Sequence, residues 1–438
     1  MIPSPQELLA RCPTDSEIYA ECYETTGLRL TDGGMDSTVS TTAGAAVRCF
    51  RRGAVGFAAT HDLGPGGLAR AVAAAAAAAD AVPSQGAVLP ADSRATTAFS
   101  AGQRLTAASQ ADLKSVLEAV RTELGGTRSG SCTPVTLTAE LGRRRTAVCN
   151  GTGLARWFEE AYVRIGATAL VPGPRGQGLG QASWWGRDLG DLPVTELAGR
   201  VTTDGRVRLA AAGRRLRGEP LLVTAPVAAR LLAHCTGLFA SGDAPESAHG
   251  LSPAVTLDDD PLAADVVGAA PFDGEGVVTT SKTLVDQGRP ARGLGDYQTS
   301  RRTGDPSAAG NVQRSAYTQW PAVGVSVLTL RPGVDPPKAL TAGAEGGYLV
   351  QGVRGLSAGD GRIGAEFLAV PLRSGAAAGP PVRLPVTTTP AGLLGSVTHV
   401  GCSLYRHGAI GAPDLLLDGA RLVAPNRHSA SDHEGERS

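Results

Sequence analysis

The most constraining feature of this sequence is the rhythm of its second half. From about Asp258 onward, short apolar and β-branched runs at 277–280, 323–330, 348–353, 367–372, 382–386 and 415–417 are separated by Gly- and Pro-containing turns. Runs of that length and spacing read as strands of an all-β unit. The chain as a whole carries 58 Gly and 29 Pro among 438 residues, a density that favours turns and short strands over long helices.

The first half is mixed. The pattern predicts a short helix over 4–11, then strands at 20–24, 38–42, 45–51 and 54–60. An alanine-rich helix is expected over 68–82, ending before Pro83. Leu113, Val116, Leu117, Val120 and Leu124 recur at spacings of three and four and predict an amphipathic helix over 110–124. Two strands, 135–139 and 146–150, are expected around a charged turn at Arg143, Arg144 and Arg145. The stretch 157–166 is strand or mixed, and the Gly-rich 172–190, which holds Trp184 and Trp185, reads as a long loop. Short helical pieces at 194–200 and 209–216 precede a strand at 221–225. A helix follows over 226–239, with Pro226 in the first turn, where proline is tolerated. The expected fold class is α+β: an N-terminal α/β domain of short strands and helices over 1–220, then a β-rich, barrel- or sandwich-like domain over 221–425. The polar tail 426–438 is expected to be disordered.

Charge and cysteine usage narrow the function. Lys+Arg and Asp+Glu both number 41 and aromatics are 4%. Such a chain has neither a global field for nucleic acid or anionic membrane nor many platforms for base stacking. Seven scattered cysteines without a C-x-x-C pair form neither a disulfide framework nor a zinc ribbon. No secretory signal or spanning segment is visible, so a cytoplasmic location is the expectation.

Individual motifs point to ordinary structure. Gly355, Ser357 and Gly359 have G-x-S-x-G spacing, but Asp360 and Gly361 make a hairpin turn where a nucleophile elbow needs a helix. The 276–283 stretch is a near-miss to a phosphate loop, with Ser281 where a second glycine is required. Gly176, Gly178 and Gly180 lack the dinucleotide fingerprint and its βαβ setting. His399, Cys402 and His407 lie close in sequence without an evident fourth zinc ligand. His234 and Cys235 sit on an apolar helix without H-E-x-x-H spacing. Asp258, Asp259 and Asp260 read as a solvated turn before Pro261. Asn150-Gly151-Thr152 is a glycosylation sequon only in a secreted protein. From these residues alone no catalytic constellation follows.

Several segments, in order, resemble the TldD/TldE (PmbA) family, also known as modulators of DNA gyrase or peptidase family U62. They are the 47–81 stretch (VRCFRRGAVGFAATHDL and an alanine-rich helix) and 135–153 (VTLTAELGRRRTAVCNGTG). Further elements are Asp259-Asp260-Pro261, Phe272-Asp273-Gly274-Glu275-Gly276, the 284–288 run LVDQG, Asn311 and Arg314 within AGNVQR, and Leu330-Arg331-Pro332-Gly333. The family's T-G-N element begins here with Ala309, and its G-N pair before the last helix is Thr388-Thr389. The TldD-like branch carries H-E-x-x-x-H, whose histidines bind zinc. The resemblance places Ala233 and Leu238 at those ligand positions and His234 at the glutamate position. A methyl and an isobutyl group have no lone pair for zinc, so the chain is similar to the metal-free TldE branch. The resemblance implies no catalytic residue and no cofactor in this chain, with zinc in a TldD-like partner of a peptide-cleaving heteromer that takes extended peptides. A stand-alone peptide- or metabolite-binding module in natural-product biosynthesis is the other reading, and an enzyme using Ser357 or the His399, Cys402 and His407 group a third. Trp184, Trp185 and Trp320 are interface or channel candidates because bulky indoles in Gly- or Pro-containing segments call for a cover. Asn311 and Arg314 join them through the resemblance.

Overall fold

The computed structural model describes residues 2–92, 94, 101–126, 132–174, 176–210, 212–240 and 250–423. The tail 426–438 lies outside the described residues. The first half is built on one antiparallel six-stranded sheet: β1 (Ser16–Thr31), β2 (Gly34–Arg51), β3 (Ala54–Thr60), β4 (Thr133–Asn150), β5 (Ala155–Gly173) and β6 (Gly176–Gly186), in the order β3-β2-β1-β4-β5-β6. A short helix, α1 (Pro5–Leu9), opens the chain. Helices α2 (Pro65–Asp80), α3 (Gln110–Gly126) and α4 (Val194–Val207) cover the sheet.

The strands are far longer than the sequence pattern predicts, and two departures have clear causes. The run Arg143, Arg144 and Arg145 does not turn the chain; β4 passes straight through it. Arg144 reaches Glu21 at 3.0 Å, and Arg145 reaches Glu24 at 3.3 Å and Glu159 at 3.2 Å. The flanking strands β1 and β5 supply those carboxylates, so opposite-charge cross-strand pairs hold the run in the ladder. The glycine-rich 172–190 stretch is a hairpin instead of a loop. A Cβ on Gly178 would sit 1.9 Å from the Gly205 carbonyl oxygen, and one on Gly180 would sit 2.0 Å from that of Val201. Alternate glycines therefore let α4 lie directly on β6, which is the use of glycine where another backbone approaches closely. The alanine helix packs in the same way: α2 buries Ala71, Ala75 and Ala79, and a Cβ on Gly56 would lie 1.9 Å from the Ala75 carbonyl oxygen. In α3, Leu113, Leu117, Val120 and Leu124 are buried, as their spacing predicts. The stretch 209–216 is not helical; it holds the short strand β7 (Ala212–Gly213).

The second half is rich in strands. Its larger sheet has the path β19 (Val397–Val400), β22 (Leu415–Leu417), β8 (Leu221–Val223), β15 (Tyr348–Gly359), β16 (Arg362–Arg373), β18 (Val382–Thr388) and β7, with β17 (Ala376–Ala377) beside β16. A second sheet runs β11 (Arg289–Pro290), β10 (Lys282–Asp286), β9 (Leu257–Asp259), β14 (Leu328–Leu330), β21 (Ile410–Ala412) and β20 (Tyr405–His407). A two-stranded pair, β12 (Val312–Gln313) and β13 (Ala322–Val323), completes the set. The 323–330 run is thus split between β13 and β14. In the 277–280 run only an isolated bridge forms, between Phe272 and Val278. The two large sheets and helix α5 (Ala225–Ala233) share one apolar core that includes Val223, Leu231, Leu257, Leu328, Val350 and Phe367. The architecture is α+β, with an N-terminal α/β region and a β-rich C-terminal region.

The two halves meet across a buried ion network. Glu17 on β1 accepts from Arg48 at 2.6 Å and from Arg314 at 2.6 Å, and Arg48 also reaches Glu275 at 2.9 Å. Arg144 donates to the Arg314 carbonyl at 3.3 Å, and the Tyr317 amide donates to Glu21 at 2.7 Å. Among the described residues no helix is long and apolar enough to cross a membrane.

Candidate functional site

Helix α5 begins where the sequence places it. Thr224 precedes the first turn, Pro226 stands within it, and the Ala225 amide donates to Asp414 at 2.6 Å. It ends early, at Ala233. His234 caps it, and a separate 3₁₀ turn spans Thr236–Phe239. The Thr236 hydroxyl donates to the Ala233 carbonyl at 3.1 Å, a local bond that competes with continuation of the helix. Ala233 and Leu238 therefore do not share one regular helix, and Leu238 packs against the apolar core. Tested against zinc, this set does not fit: two of its three positions are hydrocarbon. Among the described residues no three His, Cys, Asp or Glu side chains gather into a metal-binding group.

The other motifs resolve into local structure. Ser357 is exposed on β15, opposite Gly364, in a hairpin that turns at Asp360 and Gly361. His399 and Cys402 are exposed, whereas His407 is half-buried at the end of β20. Asp258, Asp259 and Asp260 do not form a solvated turn. Asp259 is fully buried on β9, accepting the Ser326 and Val327 amides at 2.8 Å and the Asn311 amide nitrogen at 3.1 Å; burial holds its carboxyl above the usual range. Asp258 pairs with Arg331 at 2.9 Å, and Ser281 donates to Asp260. The phosphate-loop near-miss runs into β10, where Lys282 donates to the Ala309 carbonyl at 2.7 Å and to Asn311, and burial pushes its ammonium down to about 8. Asn150 is buried and ties the β4–β5 turn by accepting the Thr152 and Leu154 amides at 3.0 and 3.3 Å.

The candidate aromatics have different surroundings. Trp184 packs against the core beneath α3 and α4, its ring over Gly186. Trp185 lies near the Tyr162 ring at 5.5 Å and under the Arg164 guanidinium at 5.0 Å. Trp320 is 53% exposed and stacks on Phe57 at 5.0 Å. Asn311 is buried against Asp259 and Lys282. Arg314 is buried between Glu17, the Gly274 carbonyl at 2.8 Å and the Tyr19 ring at 4.6 Å.

The feature that no motif announced is a cavity. A cavity of about 760 Å³ opens between β5, β6, α4, the start of α5, β15 and β20. Arg164, Arg200, Arg208 and Arg230 line it, with Glu196, Asp204, Tyr405 and His407. Burial first, then the charges of Arg230, Arg200 and Arg164, hold the His407 pKa below its ordinary value. The β6 edge is closed on this side: the Gln181 amide donates to Asp204 at 2.9 Å and Arg200 donates to the Ser183 carbonyl at 3.2 Å. The β15 edge is open, since β8 pairs with it only from Tyr348 to Val350 and no strand among the described residues continues on that side. Gln351 and Gly352, the first residues of that open edge, line the cavity. One sequence signal could have drawn attention here: Arg230 is the only charged residue in α5, whose neighbours Val227, Ala228, Ala229, Leu231 and Leu232 are buried and apolar.

Comparison with known proteins agrees with this architecture. Residues 248–424 match the PmbA/TldA metallopeptidase C-terminal domain, and residues 16–79 match PmbA/TldA metallopeptidase domain 1. These matches and the fold define the class, a metallopeptidase-like α+β protein. The chain belongs to the PmbA/TldD family. A candidate modulator of a DNA gyrase from Thermotoga maritima is 16% identical, with a TM-score of 0.79 over 92% of this chain and 94% of that one. TldE from Thermococcus kodakarensis is 17% identical, with a TM-score of 0.77 over 94% and 98%. A candidate modulator of DNA gyrase from Bacteroides thetaiotaomicron is 16% identical, with a TM-score of 0.74 over 95% and 98%. No curated protein matches the chain in sequence.

Proposed function

We propose that this chain is a TldE-like, non-catalytic subunit that contributes no metal ion and pairs with a zinc-bearing TldD-like homologue in a cytoplasmic, peptide-cleaving heteromer. The observation that carries the reading is the chemistry at the end of α5, where hydrocarbon side chains stand at both positions that would have to donate to zinc. The cavity supports a role in holding substrate. Its wall includes the open β15 edge at Gln351, onto which an extended peptide can add as a further strand, gaining affinity from backbone hydrogen bonds. The closed β6 edge leaves β15 as the pairing surface on this side.

Trp185 and Trp320 are proposed to lie near the partner; Trp184, packed inward, would support that surface from beneath. The test is co-expression with a homologue that carries H-E-x-x-x-H, followed by affinity capture and mass spectrometry of cleaved peptides. The pair is expected to co-purify and to cleave. Trp320→Ala, which removes an exposed indole, is expected to weaken capture by about tenfold if the indole is buried as an interface anchor. Peptide cleavage by the solitary chain would overturn the assignment, and unchanged capture of the Trp320 variant would remove that residue from the interface.

A further inference from the structure

Positive charge is left unspent inside the cavity. Arg208 is neutralised by Asp204 at 2.6 Å. Arg200 lies 3.7 Å from Glu196, beyond hydrogen-bond reach. Its Nη1 donates to the Ser183 carbonyl and the Tyr405 hydroxyl, but Nε and Nη2 are buried with no hydrogen-bond partner. Arg230 makes no ion pair or hydrogen bond among the described residues, and the carboxylate it feels, Asp204, is already held by Arg208. Buried donors without partners are costly, so Arg200 calls for a bound acceptor, and the half-buried Arg230 adds a second guanidinium that no carboxylate pairs.

The walls define what that acceptor is attached to. Thr203, Thr224, Gln181 and Gln351 offer hydroxyl and amide groups, and Pro226 and Val227 offer apolar surface. A cavity of about 760 Å³ with polar groups spread over its walls has room for an organic ligand and is far larger than a bare ion needs. The lining sets Glu196 and the paired Asp204 against Arg164, Arg200, Arg208 and Arg230, a net positive wall that an anionic group on the ligand would offset. We infer that Arg200 and Arg230 bind a carboxylate of a peptide-like ligand. The planar guanidinium matches a carboxylate in a two-pronged arrangement that lysine cannot reproduce. This deepens the peptide-holding role proposed above by naming the group the peptide must carry, either its C-terminal carboxylate or an Asp or Glu side chain.

The test is equilibrium dialysis of the full chain, without partner or zinc, against three N-acetylated pentapeptide pools of otherwise neutral composition. One pool has a free C-terminal carboxylate, one is amidated with a central Asp or Glu, and one is amidated and uncharged. At least one carboxylate pool is expected to bind about tenfold more tightly than the uncharged pool; which of the two identifies the source. Arg230→Gln is expected to abolish the preference and Arg230→Lys to restore only part of it. Arg70→Gln, on the exposed face of α2 outside the cavity, should leave it unchanged. Melting curves verify that each variant folds. Equal binding of the uncharged pool, no binding of any pool, or a preference that survives Arg230→Gln would overturn the assignment. Because hydrolysis and partner are not involved, failure here is separable from failure of the heteromer reading, which rests on co-purification and cleavage.

Discussion

Glu17→Gln is expected to lower the unfolding free energy by about 3–5 kcal/mol, the range for breaking a buried ion pair by removing one partner. Glu17 is 1% exposed and holds two guanidiniums, Arg48 and Arg314, each at 2.6 Å. With an amide in its place, Arg48 keeps Glu275 at 2.9 Å. Arg314 loses its only carboxylate partner among the described residues, and its Nη1 already lacks a hydrogen bond. An unpaired charge is then left at the junction of the two halves. Urea unfolding measures the effect, read as a fall in midpoint at constant slope. The double variant Glu17→Gln with Arg314→Met should recover part of the loss, because it removes the stranded charge. A single-variant cost under about 1 kcal/mol, the scale of exposed pairs, would contradict the role given to this network.

Gly180→Val is expected to cost about 3 kcal/mol or more, at or above the upper end of ordinary overpacking. The new Cβ would start 2.0 Å from the Val201 carbonyl oxygen, and a backbone atom inside a helix cannot step aside. Helix α4 must lift from β6, carrying Arg200, Asp204 and Arg208 out of register with the cavity. Thermal unfolding reads the stability loss, and hydrogen exchange at β6 reads the local opening. Gly199→Ala, in α4 two residues before Val201 and with open space around it, is the control and should stabilise by about 0.5–1 kcal/mol. Equal effects at both glycines would refute the close-packing account.

The sequence was most legible where one element decides its own fate. The heptad-like spacing in α3 and the alanine run of α2 need only a face to bury, and both form. Legibility failed where a distant strand supplies the missing half of the argument. Arg143, Arg144 and Arg145 look like a turn until Glu21, Glu24 and Glu159 stand beside them. Gly178 and Gly180 look like part of a loop until α4 lies on them. The cavity is the extreme case, since Arg164, Arg200, Arg230 and His407 come from four separate segments and no local spacing joins them. His407 drew attention as a zinc ligand because of its sequence neighbours, yet its spatial neighbours are guanidiniums. The degenerate positions Ala233, His234 and Leu238, by contrast, needed only a resemblance to be noticed.

The most direct test of the central claim is quantitative metal analysis of this chain, purified alone and then in complex with an H-E-x-x-x-H homologue, after dialysis against excess zinc. The account predicts no retained zinc in the solitary chain and stoichiometric zinc in the complex, lost when the homologue's histidines are replaced. Stoichiometric zinc held by this chain alone, and removed by His234→Ala, would contradict it.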